Sequence, residues 1–112
     1  MSNQRYEYYN TRTLSAMQDS QSYVVSRYDV ESELKYLYMY KTGDDTYRAS
    51  QAPSNRSTIH ISTKDYKVEI YKEKKKIKFF NLILPSQYVD AYKFEFYIPK
   101  DGLISEFKVD LK

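Results

Sequence analysis

The amino-acid sequence predicts a mainly β fold: a single antiparallel sheet or small barrel-like meander, or an α+β variant with one or two short helices. Two observations carry that expectation. Tyr66 to Lys72, Tyr92 to Ile98 and Leu103 to Leu111 alternate apolar with charged or polar side chains. That is the pattern of half-buried strands, whose successive side chains leave the pleat on opposite sides. The chain also holds fourteen tyrosines and five phenylalanines but no tryptophan and only two glycines, a composition suited to strands. Parity puts Tyr66, Val68 and Ile70 inward, with Tyr92, Phe94, Phe96 and Ile98, and Leu103, Phe107, Val109 and Leu111. Lys67, Glu69 and Tyr71 face outward, as do Lys93, Glu95 and Tyr97.

Taken in order, residues 1–5 are polar and expected to fray. Arg5 to Tyr9 opens as a short strand or an arm, and Thr13 to Gln21 suits a helical turn or a loop equally. Ser22 to Val30 alternates and reads as a strand. Residues 31–41 are ambiguous, since a helix would line up Val30, Leu34, Leu37 and Tyr38. A strand would put Tyr36, Tyr38 and Tyr40 on one face, whereas a helix would fan them around its axis; the strand is preferred. Thr42-Gly43-Asp44-Asp45 is a turn, and Thr46 to Arg48 returns from it. Gln51 to Arg56 is a breaker cluster. Thr58 to Ser62 is a short strand with Ile59 and Ile61 inward, and Thr63-Lys64-Asp65 turns into Tyr66.

A hairpin turn is expected at Glu73-Lys74-Lys75. Lys76 to Leu84, apolar on both faces through Phe79, Phe80, Leu82, Ile83 and Leu84, then reads as a central strand. Pro85 to Asp90 becomes a short helical crossing or wide loop, because proline cannot continue a central ladder. Pro99 to Gly102 is a turn joining the last two strands. The core is expected to hold Val68, Ile70, Phe79, Ile83, Phe94, Phe96, Phe107 and Val109.

The 112 residues suit one domain with one core. Without cysteine there are no disulfides, thiolate chemistry or thiolate zinc sites. No apolar leader and no apolar run of about 18 residues is present, so a cytoplasmic protein that does not enter membranes is expected. Asn55-Arg56-Ser57 matches a glycosylation pattern, which the missing leader argues against.

The net charge of +3 lies entirely in the second half: residues 1–63 carry seven basic and seven acidic side chains, residues 64–112 eleven and eight. Lys64, Lys67, Lys72, Lys74, Lys75, Lys76 and Lys78 cluster there, opposed by Asp65, Glu69 and Glu73. Such a cluster at a hairpin tip can meet phosphate oxygens, which supply affinity rather than sequence reading. Tyr71 adds a ring on which a base can stack. Lysine-rich tips also guard sheets against edge pairing. The primary expectation is a non-enzymatic binder of single-stranded DNA or RNA through Lys67, Tyr71, Lys72, Lys74, Lys75, Lys76 and Lys78.

The alternative is a protein-interaction module (adaptor, inhibitor or self-assembling subunit), meeting an acidic protein surface or forming a homo-oligomer. Its partner interface would be the Tyr36, Tyr38 and Tyr40 face, tyrosine being a low-entropy anchor. No cofactor, metal or catalytic residue is expected. His60 is the only histidine, but strand neighbours such as Ser62 lie about 7 Å away, too far for direct proton transfer. Glu33-Leu34-Lys35 and Glu73-Lys74-Lys75 match the acid-x-lysine element of nuclease metal sites. That chemistry needs converging acids, from Asp44, Asp45, Asp65 or Glu69, and the pattern arises freely in a chain with 29% charged residues.

Overall fold

The computed structural model describes residues 6–18, 21–79 and 82–105, and from 74 to 90 the backbone alone. Among the described residues eight strands form one sheet. They are β1 (Tyr6–Ser15), β2 (Val24–Tyr28), β3 (Leu34–Lys41), β4 (Tyr47–Pro53), β5 (Ser57–Ile61), β6 (Lys67–Phe79), β7 (Leu82–Ile98) and β8 (Leu103–Ser105). A single 3₁₀ turn, Ser54–Arg56, separates β4 from β5. The spatial order is β5-β7-β6-β1-β3-β2-β8, and β4 pairs with β3. Because β2 and β1 follow one another along one edge of β3, β4 occupies its other edge.

The sheet curls into a half-barrel at β1. Tyr6 to Thr13 of that strand pair with β6, while Leu14 and Ser15 cross to Tyr40 and Met39 of β3. A register shift between Tyr8 and Asn10 adds the local twist that such irregularities bring. The two halves of the sheet thereby face one another across Leu14, Val24, Tyr38, Ala52, Val68, Ile70, Phe96 and Ile98. Tyr23, Tyr36, Tyr40, Ile59, Tyr66, Tyr92 and Phe94 pack around that core.

The mainly β class, the strand at 34–41 and the inward parity of β6 and β7 are as expected. Val68, Ile70 and Phe96 are buried and Phe94 half-buried. Five readings are corrected. Glu73-Lys74-Lys75 is no turn: β6 runs on to Phe79, and the chain reverses between Phe79 and Leu82, which pair directly. The stretch expected as one central strand, Lys76 to Leu84, is therefore split between β6 and β7. Pro85 to Asp90 is strand rather than crossing. Pro85 falls in the register break between the Lys78–Ile83 and Lys76–Tyr88 pairs, where no ladder bond is required of it. Ile61 and Leu103 are exposed, because β5 and β8 lie at the ends of the sheet order. Finally, β2–β8 and β5–β7 pair in parallel, so the sheet is not a pure meander.

β1 runs from Tyr6 to Ser15, extending the short strand that was one of two expectations for Arg5 to Tyr9 and taking in Thr13 to Ser15 of the expected helical turn or loop. Residues 1–5, Phe107 and Val109, and the side chains of Phe79 and Ile83, lie outside what is described.

Two turns show how local chemistry sets the curl. At Pro99 to Gly102 the Gly102 amide donates to the Pro99 carbonyl at 2.9 Å. The Gly102 carbonyl accepts from Tyr23 and Val24 at 2.7 and 3.0 Å. A Cβ at 102 would sit 3.0 Å from Pro99 Cδ, so glycine lets this turn close and deliver β8 onto β2.

At the β2–β3 turn Asp29 Oδ1 accepts from the Glu31 and Glu33 amides at 2.8 and 2.9 Å. Ser32 takes the left-handed φ of 64° that the reversal needs. The Glu33 amide, with help from the Glu31 amide and Lys35 and against some desolvation, holds the Asp29 carboxyl below its ordinary range. A lowered folded pKa stabilises above the unfolded value of about 3.9 and is lost as pH falls through the folded value. Amide exchange at Glu31 and Glu33 is thus expected to accelerate only on acidification below the usual aspartate range. Exchange independent of pH there, after correction for intrinsic rates, would remove Asp29 from this role.

Candidate interaction surface

The outward parity of β6 and β7, the antiparallel β6–β7 register and the parallel β5–β7 register put one set of polar and aromatic groups side by side. Across β6 and β7 the directly opposed outer pairs are Lys67–Tyr97, Glu69–Glu95 and Tyr71–Lys93. β1 adds Tyr8 opposite Tyr71, and β5 adds His60 beside Tyr97.

Two carboxylates directly across a strand pair repel, and the neighbours answer that repulsion. Lys67 Nζ lies 3.3 Å from Glu69 Oε2, Lys93 Nζ lies 3.5 Å from Glu95 Oε2, and His60 Nε2 lies 2.6 Å from Glu95 Oε1. The Tyr71 hydroxyl donates to Glu69 Oε1 at 3.1 Å. Burial first, and then Glu69, through its hydrogen bond with Tyr71 and its charge beside Tyr97, raise the two phenol pKa values.

Aromatic rings pack around these charges in two groups. His60 stacks on Tyr97 with centroids 4.6 Å apart and planes 12° apart. Tyr8 meets Tyr71 edge-on at 6.0 Å. The Lys93 ammonium lies 4.5 Å from the Tyr6 ring centre and 5.3 Å from that of Tyr71, and Lys67 lies 5.4 Å from Tyr97. Tyr8 keeps 60% of its surface in solvent. The face is amphipathic and charge-balanced, with each lysine held against a glutamate.

The sequence-expected sites fall in different places. Lys67 and Tyr71 belong to this face. Lys72, on the opposite parity, lies 5.8 Å from the Tyr9 ring centre at the rim of the concave side, where Tyr9 meets Tyr92 at 5.3 Å. Lys74, Lys75 and Lys76 lie along β6 rather than at a tip, Lys78 lies next to its end at Phe79, and the side chains of all four are outside what is described. Beyond the Tyr6–Glu73 and Ser57–Phe94 pairs no third strand flanks β6 and β7 among the described residues, so this run sits on a two-stranded ribbon.

Tyr38 lies in the core, and Tyr36 and Tyr40, half-buried, pack against it. Tyr38 is 1% exposed and meets Phe96 edge-on at 5.3 Å, as Tyr36 does at 6.0 Å. The aromatic surface that sequence reasoning missed is Tyr6, Tyr8 and Tyr97. Tyr97 was legible by parity, but Tyr6 and Tyr8 needed the β1–β6 register.

Among the described residues no group of three histidine, aspartate or glutamate side chains converges on a metal-sized site. Glu33 sits beside Lys35 at the β2–β3 turn, and Glu73 is held by Arg56 at 3.2 Å. The Ser62 hydroxyl donates to the Lys64 carbonyl, while His60 points to Glu95. Also among the described residues, no helix is long and apolar enough to cross a membrane. The chain matches no protein-family model, no curated protein and no solved structure.

Proposed function

We propose that the protein is a non-enzymatic interaction module that docks a folded protein or peptide on the outer face of β1, β6, β7 and β5. The observation that supports it is the charge-balanced aromatic set of Tyr6, Tyr8, Tyr71, Tyr97 and His60. Tyrosine offers large, rigid contact area with a polar tip. Its lysine and glutamate neighbours are already paired, so they suit a rim of mixed hydrogen bonds rather than a polyanion, which Glu69 and Glu95 would repel.

A second reading keeps the nucleic-acid expectation. The run from Lys74 to Lys78 lies on a two-stranded ribbon, an element that a phosphate backbone or groove can receive.

One pair of measurements separates the two. Panning a phage-displayed peptide library on the immobilised protein should yield binders that Tyr71→Ala and Tyr8→Ala weaken, at a cost of about 2 kcal/mol or more for a buried anchor. Replacing Lys74, Lys75 and Lys76 with glutamine should leave them unchanged. Binders indifferent to both tyrosines would sink the outer-face reading. Fluorescence anisotropy with single-stranded DNA and RNA at two salt concentrations tests the ribbon. Saturable binding whose logarithm falls with log salt at a slope of about −2 to −3, flattened by the lysine replacements, would move the function to nucleic acid.

A further inference from the structure

We infer that the free edge of β5 is a self-association site, where two copies of this chain pair β5 antiparallel about Ile59 to join their sheets. The site is a strand edge rather than the outer aromatic face, and stands independently of the function proposed above.

The backbone parity of β5 makes the edge self-complementary. The Ser62 amide donates to the Ile98 carbonyl at 2.8 Å. In a parallel ladder alternate residues turn both amide and carbonyl to the same neighbour, so Thr58 and His60 also face β7. Ser57, Ile59 and Ile61 therefore present theirs to the other side, and no described strand pairs there. The Ser57 amide is consumed by the Ser54 carbonyl.

A second copy running antiparallel with Ile59 opposite its own equivalent matches odd residue to odd residue. The two Ile59 residues exchange both their hydrogen bonds, and each Ile61 amide meets the Ser57 carbonyl of the other copy. The one amide unable to take part is the one already satisfied. In this register Ile61 lies beside Ser57 and diagonal to Ile59 of the other copy, on the same face of the joined sheet. That covers a side chain which is 61% exposed in the single chain.

The edge of β5 is unguarded. Exposed strand edges are ordinarily blunted by charge, proline or shortness. β4, by contrast, carries Arg48 and ends at Pro53. β5 reads Ser-Thr-Ile-His-Ile, with no lysine, arginine, aspartate or glutamate, no proline and three β-branched side chains. Five paired residues a side make a small contact, below the roughly 1,200 Å² of stable complexes, so the association is a concentration-dependent C2 dimer.

Sedimentation equilibrium on the full chain across a concentration series tests it, with a chain free of cysteine allowing a register probe. A monomer–dimer equilibrium is expected. Ile61→Lys should weaken it at least about tenfold, with an unchanged circular dichroism spectrum because the side chain lies outside the core. Tyr8→Ala and Tyr71→Ala should leave it intact, which keeps its fate separate from that of the outer-face reading. A mixture of Thr58→Cys and His60→Cys chains should form the mixed disulfide faster than either forms its own. Monomer at every concentration up to ~1 mM would overturn the proposal. So would a dimer that Ile61→Lys does not weaken, or one without preference for the mixed disulfide.

Discussion

Phe96→Ala is expected to destabilise the fold by about 3–5 kcal/mol, the range for removing a fully buried aromatic ring. That loss is comparable with the whole stability of a small domain. Phe96 has no exposed surface and sits where the two halves of the curled sheet meet. It receives the Tyr38 and Tyr36 rings from β3 edge-on and pairs with Val68 of β6 and Ile59 of β5 in the ladder. No solvent-side rearrangement can fill the hole, because every neighbour is anchored in a strand. Phe94, two residues earlier on the same face, is only half-buried, and its alanine variant should cost distinctly less. Urea unfolding of both variants, compared through midpoint and slope, checks the pair. Equal losses, or a loss below about 1 kcal/mol at Phe96, would show that the hinge of the core lies elsewhere.

The second large effect is expected at Tyr38, where two substitutions separate ring from hydroxyl. Tyr38→Ala should cost about as much as Phe96→Ala, since the side chain is equally enclosed. Tyr38→Phe keeps the ring but removes the acceptor of Arg12, whose Nη1 donates to the Tyr38 hydroxyl at 2.7 Å. The guanidinium lies over the Tyr40 ring at 4.3 Å, and its Nε is buried with no hydrogen-bond partner. A hydrogen bond to a charged group contributes roughly 1.5–3 kcal/mol, and the partner left behind adds its desolvation cost. Tyr38→Phe should therefore destabilise by at least about 1.5 kcal/mol. The double variant Arg12→Met with Tyr38→Phe should recover part of that loss, because no half-buried guanidinium then remains without its acceptor. Strict additivity in the double-mutant cycle would show that Arg12 and Tyr38 are not coupled.

The tyrosines of β3 show how little their spacing says about their task. Tyr36, Tyr38 and Tyr40 were legible as one strand face, but an aromatic face can serve a partner or the molecule's own core. Arg12 on β1 and Phe96 on β7 decide it, and neither adjoins β3 in sequence. The turn expected at Glu73-Lys74-Lys75 failed for a related reason. A stretch of charged residues between two apolar stretches looks like a turn, yet cross-strand pairing with residues 88–93 keeps it extended. The chain reverses instead between Phe79 and Leu82, inside the stretch whose two apolar faces suggested a covered central strand.

Period-two alternation by itself determined the β class, the strand at 34–41, and which residues of β6 and β7 turn inward, because side-chain direction in a strand is a local consequence of the pleat. It likewise placed Lys67, Glu69, Tyr71, Lys93, Glu95 and Tyr97 outward. Tertiary structure alone decided that these six become one surface, that Tyr8 and His60 join them, and that the sheet curls at Leu14. Each of those depends on register and on strand order, which are set by contacts between residues far apart in the chain. Local chemistry carries no record of which distant strand will lie alongside.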